Sequence, residues 1–395
     1  EPAPGADDRR RAAVAVARAR NLFWGLDRAA EADDALRRAE AAVSDASVRG
    51  ELVAQRVRLQ AAAGDPRAAL DTALPLLDDD GVREQARLHA ATGAVEALLS
   101  RGRTDAALAL ADRWLPIAER HRDELPWIAL VLASQRGLAL RLSGRLIAAT
   151  DASTQVYDHA VRQRSTSTRA VEAGMLGYTW LARGRVRTAL RLLRESAALL
   201  RDGDAAGMLP WALAGVAQAA AQAGEPAIAG AAVLELERAP LGHKGFEPEL
   251  PLARAWSAAA AGELSRSRAH ALEAVELARA RGQTALELRA LHELCRLGDP
   301  TSAAPALARL APPEDAALAP TQPAPPADAA PTVDGPFAPL AATHAAALVA
   351  RDGRALLAVA ERFAALDALL VAAEAADAAA ALHRDDGRAS SKSEA

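Results

Sequence analysis

The sequence predicts an all-α protein, a stack of helical hairpins wound into a right-handed α-solenoid with a period of about 40 residues. Three observations predict it. First, the 395 residues are 51% apolar but only 3% aromatic, so the apolar content is mostly alanine and leucine, which favour helix over sheet. Second, glycines recur at 25, 64, 102, 144, 184, 224 and 262, in steps of 39, 38, 42, 40, 40 and 38. Third, the residue after the glycine is charged from Gly64 onward (Asp65, Arg103, Arg145, Arg185, Glu225, Glu263) and the fifth residue after it is small throughout: Ala30, Ala69, Ala107, Ala149, Ala189, Ala229 and Ser267.

Each element has a physical reason. Gly64, Gly102, Gly144, Gly184, Gly224 and Gly262 are read as structural turns, because glycine takes the left-handed conformation that ends a helix without steric penalty. The charged residue opens the next helix, and the small residue one turn further lets the two helices approach. Leading helices are expected over 48–63, 86–101, 127–143, 168–183, 210–223, 249–261 and 283–297. Their partners are expected over 66–78, 103–121, 145–163, 185–201, 226–238 and 263–281. One hairpin cannot bury its own apolar face, so neighbours stack into a superhelix with a concave surface. The plan is tetratricopeptide-like, with a repeat longer than the usual roughly 34 residues.

The chain divides accordingly. Residues 1–10 read as a disordered tail, 11–298 as the hairpin array, 299–338 as a Pro/Ala-rich linker or loop, 339–386 as a C-terminal helical unit and 387–395 as a second disordered tail. Eleven of the 22 prolines lie between Asp299 and Leu340, which breaks any continuous helix there. Gly353, with Arg354 and Ala358, repeats the turn rule inside the last unit.

Several function classes are excluded. A formal charge of −4 argues against a chain built chiefly to neutralise phosphates or coat an anionic membrane. Lys244 and Lys392 are the only lysines, and neither follows a glycine in a phosphate-binding loop. The lone Cys295 excludes an intrachain disulfide framework and a cysteine zinc site, and fits a cytoplasmic protein. No apolar run approaches the roughly 20 residues that span a bilayer, so no membrane partner is expected. The eight histidines show no metal-ligand spacing, so no metal or cofactor is implied. No Gly-x-Ser-x-Gly elbow occurs, and no residue supports an enzyme.

What remains is a binding surface. Tryptophans in matching frames, Leu125-Pro126-Trp127 and Leu209-Pro210-Trp211, open two leading helices, with Gln135 and Gln218 following on the same side. Leading helices line the inner wall of such arrays. The expected ligand-binding set is therefore Trp127, Tyr178, Trp211 and Trp256 for stacking, with Gln135, Arg136, Glu172 and Gln218 for hydrogen bonds. Packing between repeats is the competing reading for every tryptophan, Trp180 above all. His243-Lys244-Gly245-Phe246 interrupts the array and reads as a lip over the groove or a plain connector.

From Leu252 the match becomes more particular. The runs Leu252-Ala-Arg-Ala-Trp256, Ala278-Arg-Ala-Arg-Gly282, Leu291-His-Glu-Leu294 and Arg296-Leu-Gly-Asp-Pro300 resemble the helical-repeat region of large ATP-binding LuxR-type transcriptional regulators. Val333-Asp-Gly-Pro336, Ala341-Ala-Thr-His-Ala345, Val359-Ala-Glu-Arg-Phe363 and Ala372-Ala-Glu-Ala-Ala376 extend the resemblance. That family, which includes the maltotriose-responsive activator, carries an N-terminal ATPase, a tetratricopeptide-like sensor and a C-terminal helix-turn-helix. The resemblance implies a sensor segment without the ATPase or the DNA-reading helix, regulating transcription in a bacterium. It further implies an unknown small-molecule or protein effector in the groove and possible self-association, with DNA engaged only through a domain absent from this chain. A free-standing scaffold that binds peptide segments of partner proteins is the alternative.

Overall fold

The structure, a computed structural model, describes residues 6–204, 207–239, 242–312 and 331–393. Among the described residues all regular structure is helical. Helix α1 (Ala6–Arg20) continues into a π-helical turn, Asn21–Gly25, and pairs with α2 (Ala29–Ala42). Then come α3–α4 (Ala46–Ala62, Pro66–Leu77), α5–α6 (Glu84–Ser100, Thr104–Arg120), α7–α8 (Ile128–Ser143, Leu146–Arg162) and α9–α10 (Thr166–Ala182, Val186–Asp202). The second half holds α11–α12 (Leu209–Gln222, Pro226–Leu236), α13–α14 (Glu249–Ala260, Leu264–Ala280), α15–α16 (Thr284–Arg296, Pro300–Leu310), α17–α18 (Phe337–Ala350, Gly353–Ala365) and α19 (Leu369–Ser393). From α3 to α14 every helix end lies within two residues of the expected position.

The hairpin geometry follows from the turn. Gly64, Gly102, Gly144, Gly184, Gly224 and Gly262 have φ between +74° and +88°. Five residues on, Ala69, Ala107, Ala149, Ala189, Ala229 and Ser267 are fully buried at the helix crossing. Two expected turns sit elsewhere. Asp27 and Arg351, not Gly25 and Gly353, take the left-handed conformation, with φ of 53° and 52°. The fifth residue after each, Ala32 and Leu356, is then the fully buried one, whereas Ala30 and Ala358 are exposed. The buried position is thus counted from the backbone conformation rather than from the glycine.

The domain boundaries also shift. A helix, α16, fills Pro300–Leu310, where a linker was expected to begin at 299. Gly298 has φ of 89°, Asp299 accepts from the Ser302 amide, and Pro300 stands at the helix start, where its missing N–H costs nothing. Ala303, five past the glycine, is fully buried, so α15–α16 is one more hairpin of the array. The rest of the proline tract, 313–330, lies outside the described residues. Helix also covers Ala6–Arg10 and 387–393, stretches expected to be tails.

The superhelix closes on itself. The turns of α3–α4, α5–α6, α7–α8 and α9–α10 form an edge, and chain from the second half of the molecule lies along it. The Arg281 guanidinium donates to Ala63 O at 3.4 Å, Asp334 N to Gly102 O at 2.9 Å, and Leu369 N to Arg183 O at 3.3 Å. Close approach needs the glycines at this edge. A Cβ added at Gly184 would lie 2.4 Å from the Leu370 nitrogen, and one at Gly144 would lie 2.8 Å from Phe337 Cβ. At Gly224 and Gly262 an added Cβ would meet nothing within 4 Å, because those turns carry no such neighbour.

Candidate ligand site at the seam

Leading helices point inward, and α9 and α11 meet at the centre of the interior. Tyr178 and Trp211 stack there with ring centroids 4.7 Å apart, and the Tyr178 hydroxyl donates to Trp211 O at 2.9 Å. They are 1% and 2% exposed, so each is the other's partner in this arrangement and neither ring presents an open face. Phe246 closes the stack at 5.2 Å from Trp211. The segment His243–Phe246 therefore enters the interior, where a lip or connector was expected. His243 meets Glu96 at 3.2 Å, Lys244 meets Asp27 at 2.5 Å, and Lys244 O accepts from Gln283 at 3.3 Å.

A polar network runs beside the stack. Gln218, fully buried, donates to Glu249 Oε2 at 2.9 Å and accepts from Arg289 at 2.7 Å, while Arg289 pairs with Glu249 at 2.8 Å. Arg296 pairs with Glu293 at 2.8 Å and reaches Glu374 on α19 through two further bonds. Trp256 donates its indole N–H to Glu293 at 3.1 Å, beneath Arg296 at 4.8 Å from the ring. Every charge in this network has a partner, with one exception.

Arg141, on α7, is 7% exposed and lies 5.5 Å from the Tyr178 ring centroid. Among the described residues its side chain makes no hydrogen bond and no ion pair. Burial, and then the nearby Arg289 charge, lower its pKa to about 10, which still leaves it a cation at neutral pH. It borders a cavity of about 70 Å³, room for roughly five water-sized spheres. The array contributes Leu142, Leu146, Leu181 and Leu288 to the wall, and the C-terminal unit contributes Phe337, Ala368, Leu370 and Val371. Arg141, Gln222, Arg289, His292, Glu293 and Arg296 supply the polar lining. The cavity thus sits on the seam where the superhelix closes. Burial and the neighbouring His344 hold His292 well below the ordinary histidine range, so it faces the cavity neutral.

The other expected site residues separate. Trp127 is half-buried apart from the stack, with Arg58 over its ring at 4.5 Å and His89 at 5.3 Å. Gln135 donates to Thr92 O at 2.8 Å. Glu172 is buried and accepts from the Ser134 hydroxyl, its second oxygen has no partner, and burial pushes its pKa up to about 7. Arg136 is half-buried and pairs with Asp112 at 2.9 Å, apart from the stack and the cavity. Trp180 packs under Arg183 at 4.5 Å. The seam arginines were not singled out in the sequence. The signal that could have found Arg141 is a cation inside the otherwise apolar run Leu138–Leu142 of a leading helix.

No protein-family model matches this chain, and no curated protein matches it. Among solved structures, it is similar to a Rap protein complexed with competence and sporulation factor, at 15% identity and a TM-score of 0.53, over 68% of this chain and 74% of that one. It also aligns with a tetratricopeptide repeat protein from Parabacteroides merdae ATCC 43184, at 14% identity and a TM-score of 0.41, over 68% and 93% of the two chains. The fold is a tetratricopeptide-like α-solenoid. Among the described residues no helix is long and apolar enough to cross a membrane, and no group of three His, Cys, Asp or Glu is placed to hold a metal ion.

Proposed function

We propose that this chain is a regulatory repeat array whose effector binds at the seam and holds the superhelix closed. One observation carries this reading: the cavity at the seam is walled by both halves of the molecule, and a buried cation without an ion-pair partner among the described residues faces it. A ligand there touches both α7 and the α17–α19 unit only when they are docked. It therefore binds the closed state better than the open one, which is the condition for a ligand to regulate anything. The expected groove ligands are moved accordingly, from the Tyr178–Trp211 stack to the space beside it. That the Rap protein is complexed with competence and sporulation factor supports a factor-binding role on the same fold.

A thermal-shift panel of short acids, sugars, nucleotides and peptides tests the reading, with each hit followed by amide exchange. A ligand that raises the melting temperature and slows exchange over 331–337 and 369–371 supports it. Hits that leave exchange at the seam unchanged contradict it.

We further propose the sensor segment of a LuxR-type regulator as the setting, on the strength of the residues from Leu252 to Ala376. Sequencing the reading frame on either side tests this: a phosphate-binding lysine loop upstream and a helix-turn-helix downstream are expected. Their absence would favour the free-standing scaffold.

A further inference from the structure

Arginine without a partner is rare in a protein interior, because its five N–H donors lose water and gain nothing. Arg141 comes near that position: it is 7% exposed, its side chain makes no hydrogen bond among the described residues, and it borders the cavity. Glu249 favours its charge through space and Arg289 opposes it. Arg289 is engaged by Glu249 and Gln218, and Arg296 by Glu293 and Glu374. The Tyr178 ring at 5.5 Å supplies only a face for the cation, and the Tyr178 hydroxyl is committed to Trp211 O. The planar guanidinium fork matches two oxygens of one carboxylate, a geometry that a lysine or a neutral amide does not offer.

Resting on the seam reading above, we infer that the cavity takes the carboxylate of a small monoanionic acid, anchored by Arg141, with a short apolar tail against Leu146, Phe337 and Leu370. Charge and size select this class. Arg289 and Arg296 are engaged by Glu249, Glu293 and Glu374, which leaves Arg141 as the guanidinium free to take one negative charge, while a second charge on the ligand would meet those carboxylates. That disfavours the phosphate dianion. A cavity of about 70 Å³ suits a short acid. The lowered Arg141 pKa agrees, since an anion beside the guanidinium restores the stabilisation that burial removes.

Titration with sodium propionate at constant ionic strength tests the inference, read by calorimetry and melting temperature, with propionamide and inorganic phosphate as comparisons. Propionate is expected to bind saturably and to raise the melting temperature, while the other two do neither. Arg141→Met is expected to weaken propionate binding roughly ten- to a hundredfold and, in propionate-free buffer, to melt at or above the parent, because it removes a buried charge that has no ion-pair partner. Arg141→Lys, which keeps the charge but not the fork, is expected to fall between the two. Equal propionate binding by parent and Arg141→Met overturns the inference, as does propionamide binding as well as propionate, or phosphate binding in its place. If no short acid binds but a neutral ligand from the panel slows exchange at Leu369, the carboxylate class fails and the seam reading stands.

Discussion

Arg296 and Glu374 share two hydrogen bonds of 2.8 Å, one to each carboxylate oxygen, and so join the last leading helix of the array to the last helix of the chain. The other face of the same guanidinium meets Glu293, which is 7% exposed on its side chain. Replacing Arg296 by Met leaves that buried glutamate with the Trp256 indole at 3.1 Å and a longer approach to Arg289 at 3.8 Å in place of its close ion pair. A loss of about 3–5 kcal/mol is expected by urea unfolding. Glu374→Gln keeps one acceptor and should cost only about 1 kcal/mol. Equal losses from the two variants would show that the pair does not link a buried network to the final helix.

The turn glycines separate two effects that usually come together. Gly184→Ala and Gly224→Ala both place a Cβ on left-handed backbone, with φ of +76° at each, at a cost of about 1–2 kcal/mol. Only Gly184→Ala also meets the Leu370 backbone, which adds an overpacking cost of about 1–3 kcal/mol. The expected result is a much lower melting temperature for Gly184→Ala, with faster amide exchange in α19. Gly224→Ala should leave α19 exchange unchanged.

Glu172 makes the fold sensitive to base. Its carboxyl titrates at about 7 in the fold because it is buried, against an ordinary 4.5. The folded state therefore holds a proton that the unfolded chain has released between those values. Its contribution is complete below pH 4.5, falls as pH rises, and is lost above 7, a difference of about 3 kcal/mol. Glu172→Gln stays neutral and should remove that loss. Unfolding free energies of parent and variant should diverge between pH 5 and 8, the variant becoming relatively more stable, and parallel curves would place Glu172 in water.

Two histidines act at the acid end. Burial, with Arg58 beside His89 and Arg296 beside His344, lowers both to about 4, from 6.5. The unfolded chain binds those protons first, so stability is complete above pH 6.5 and declines as pH falls toward 4. His89→Gln and His344→Gln should each flatten that acid limb by about one proton. An unchanged slope in both variants would mean that neither ring is buried as described.

Much of the fold was legible because turn chemistry is local. A glycine, a charge and a small residue at fixed offsets located α3 through α14, and the buried alanines confirm why the offset holds. The turn at Gly298 is masked in the sequence by the prolines that crowd after it, although Pro300 at a helix start is compatible with the same hairpin. At Asp27 and Arg351 the left-handed residue is not glycine, so the pattern in the letters slipped by two positions while the geometry did not. The site was less legible. Aromatic residues on leading helices do face inward, but the sequence gives no sign that Tyr178 and Trp211 spend their faces on each other. The seam depends on contacts such as Asp334 with Gly102 and Leu369 with Arg183, 232 and 186 residues apart, which no local pattern encodes. Arginine also supplies 45 of the 47 basic residues, 47 less two lysines, so one meaningful arginine does not stand out.

Closure of the superhelix is tested most directly at the Leu369 amide. Leu369 is the first residue of α19, and the first amides of a helix have no partner within it. Among the described residues its acceptor is Arg183 O, 3.3 Å away on the opposite side of the seam. Single-residue hydrogen exchange should therefore find this amide strongly protected, and protected further when a seam ligand is bound. Exchange at the rate of a free helix end, with α19 otherwise intact, would show an open solenoid and contradict the account.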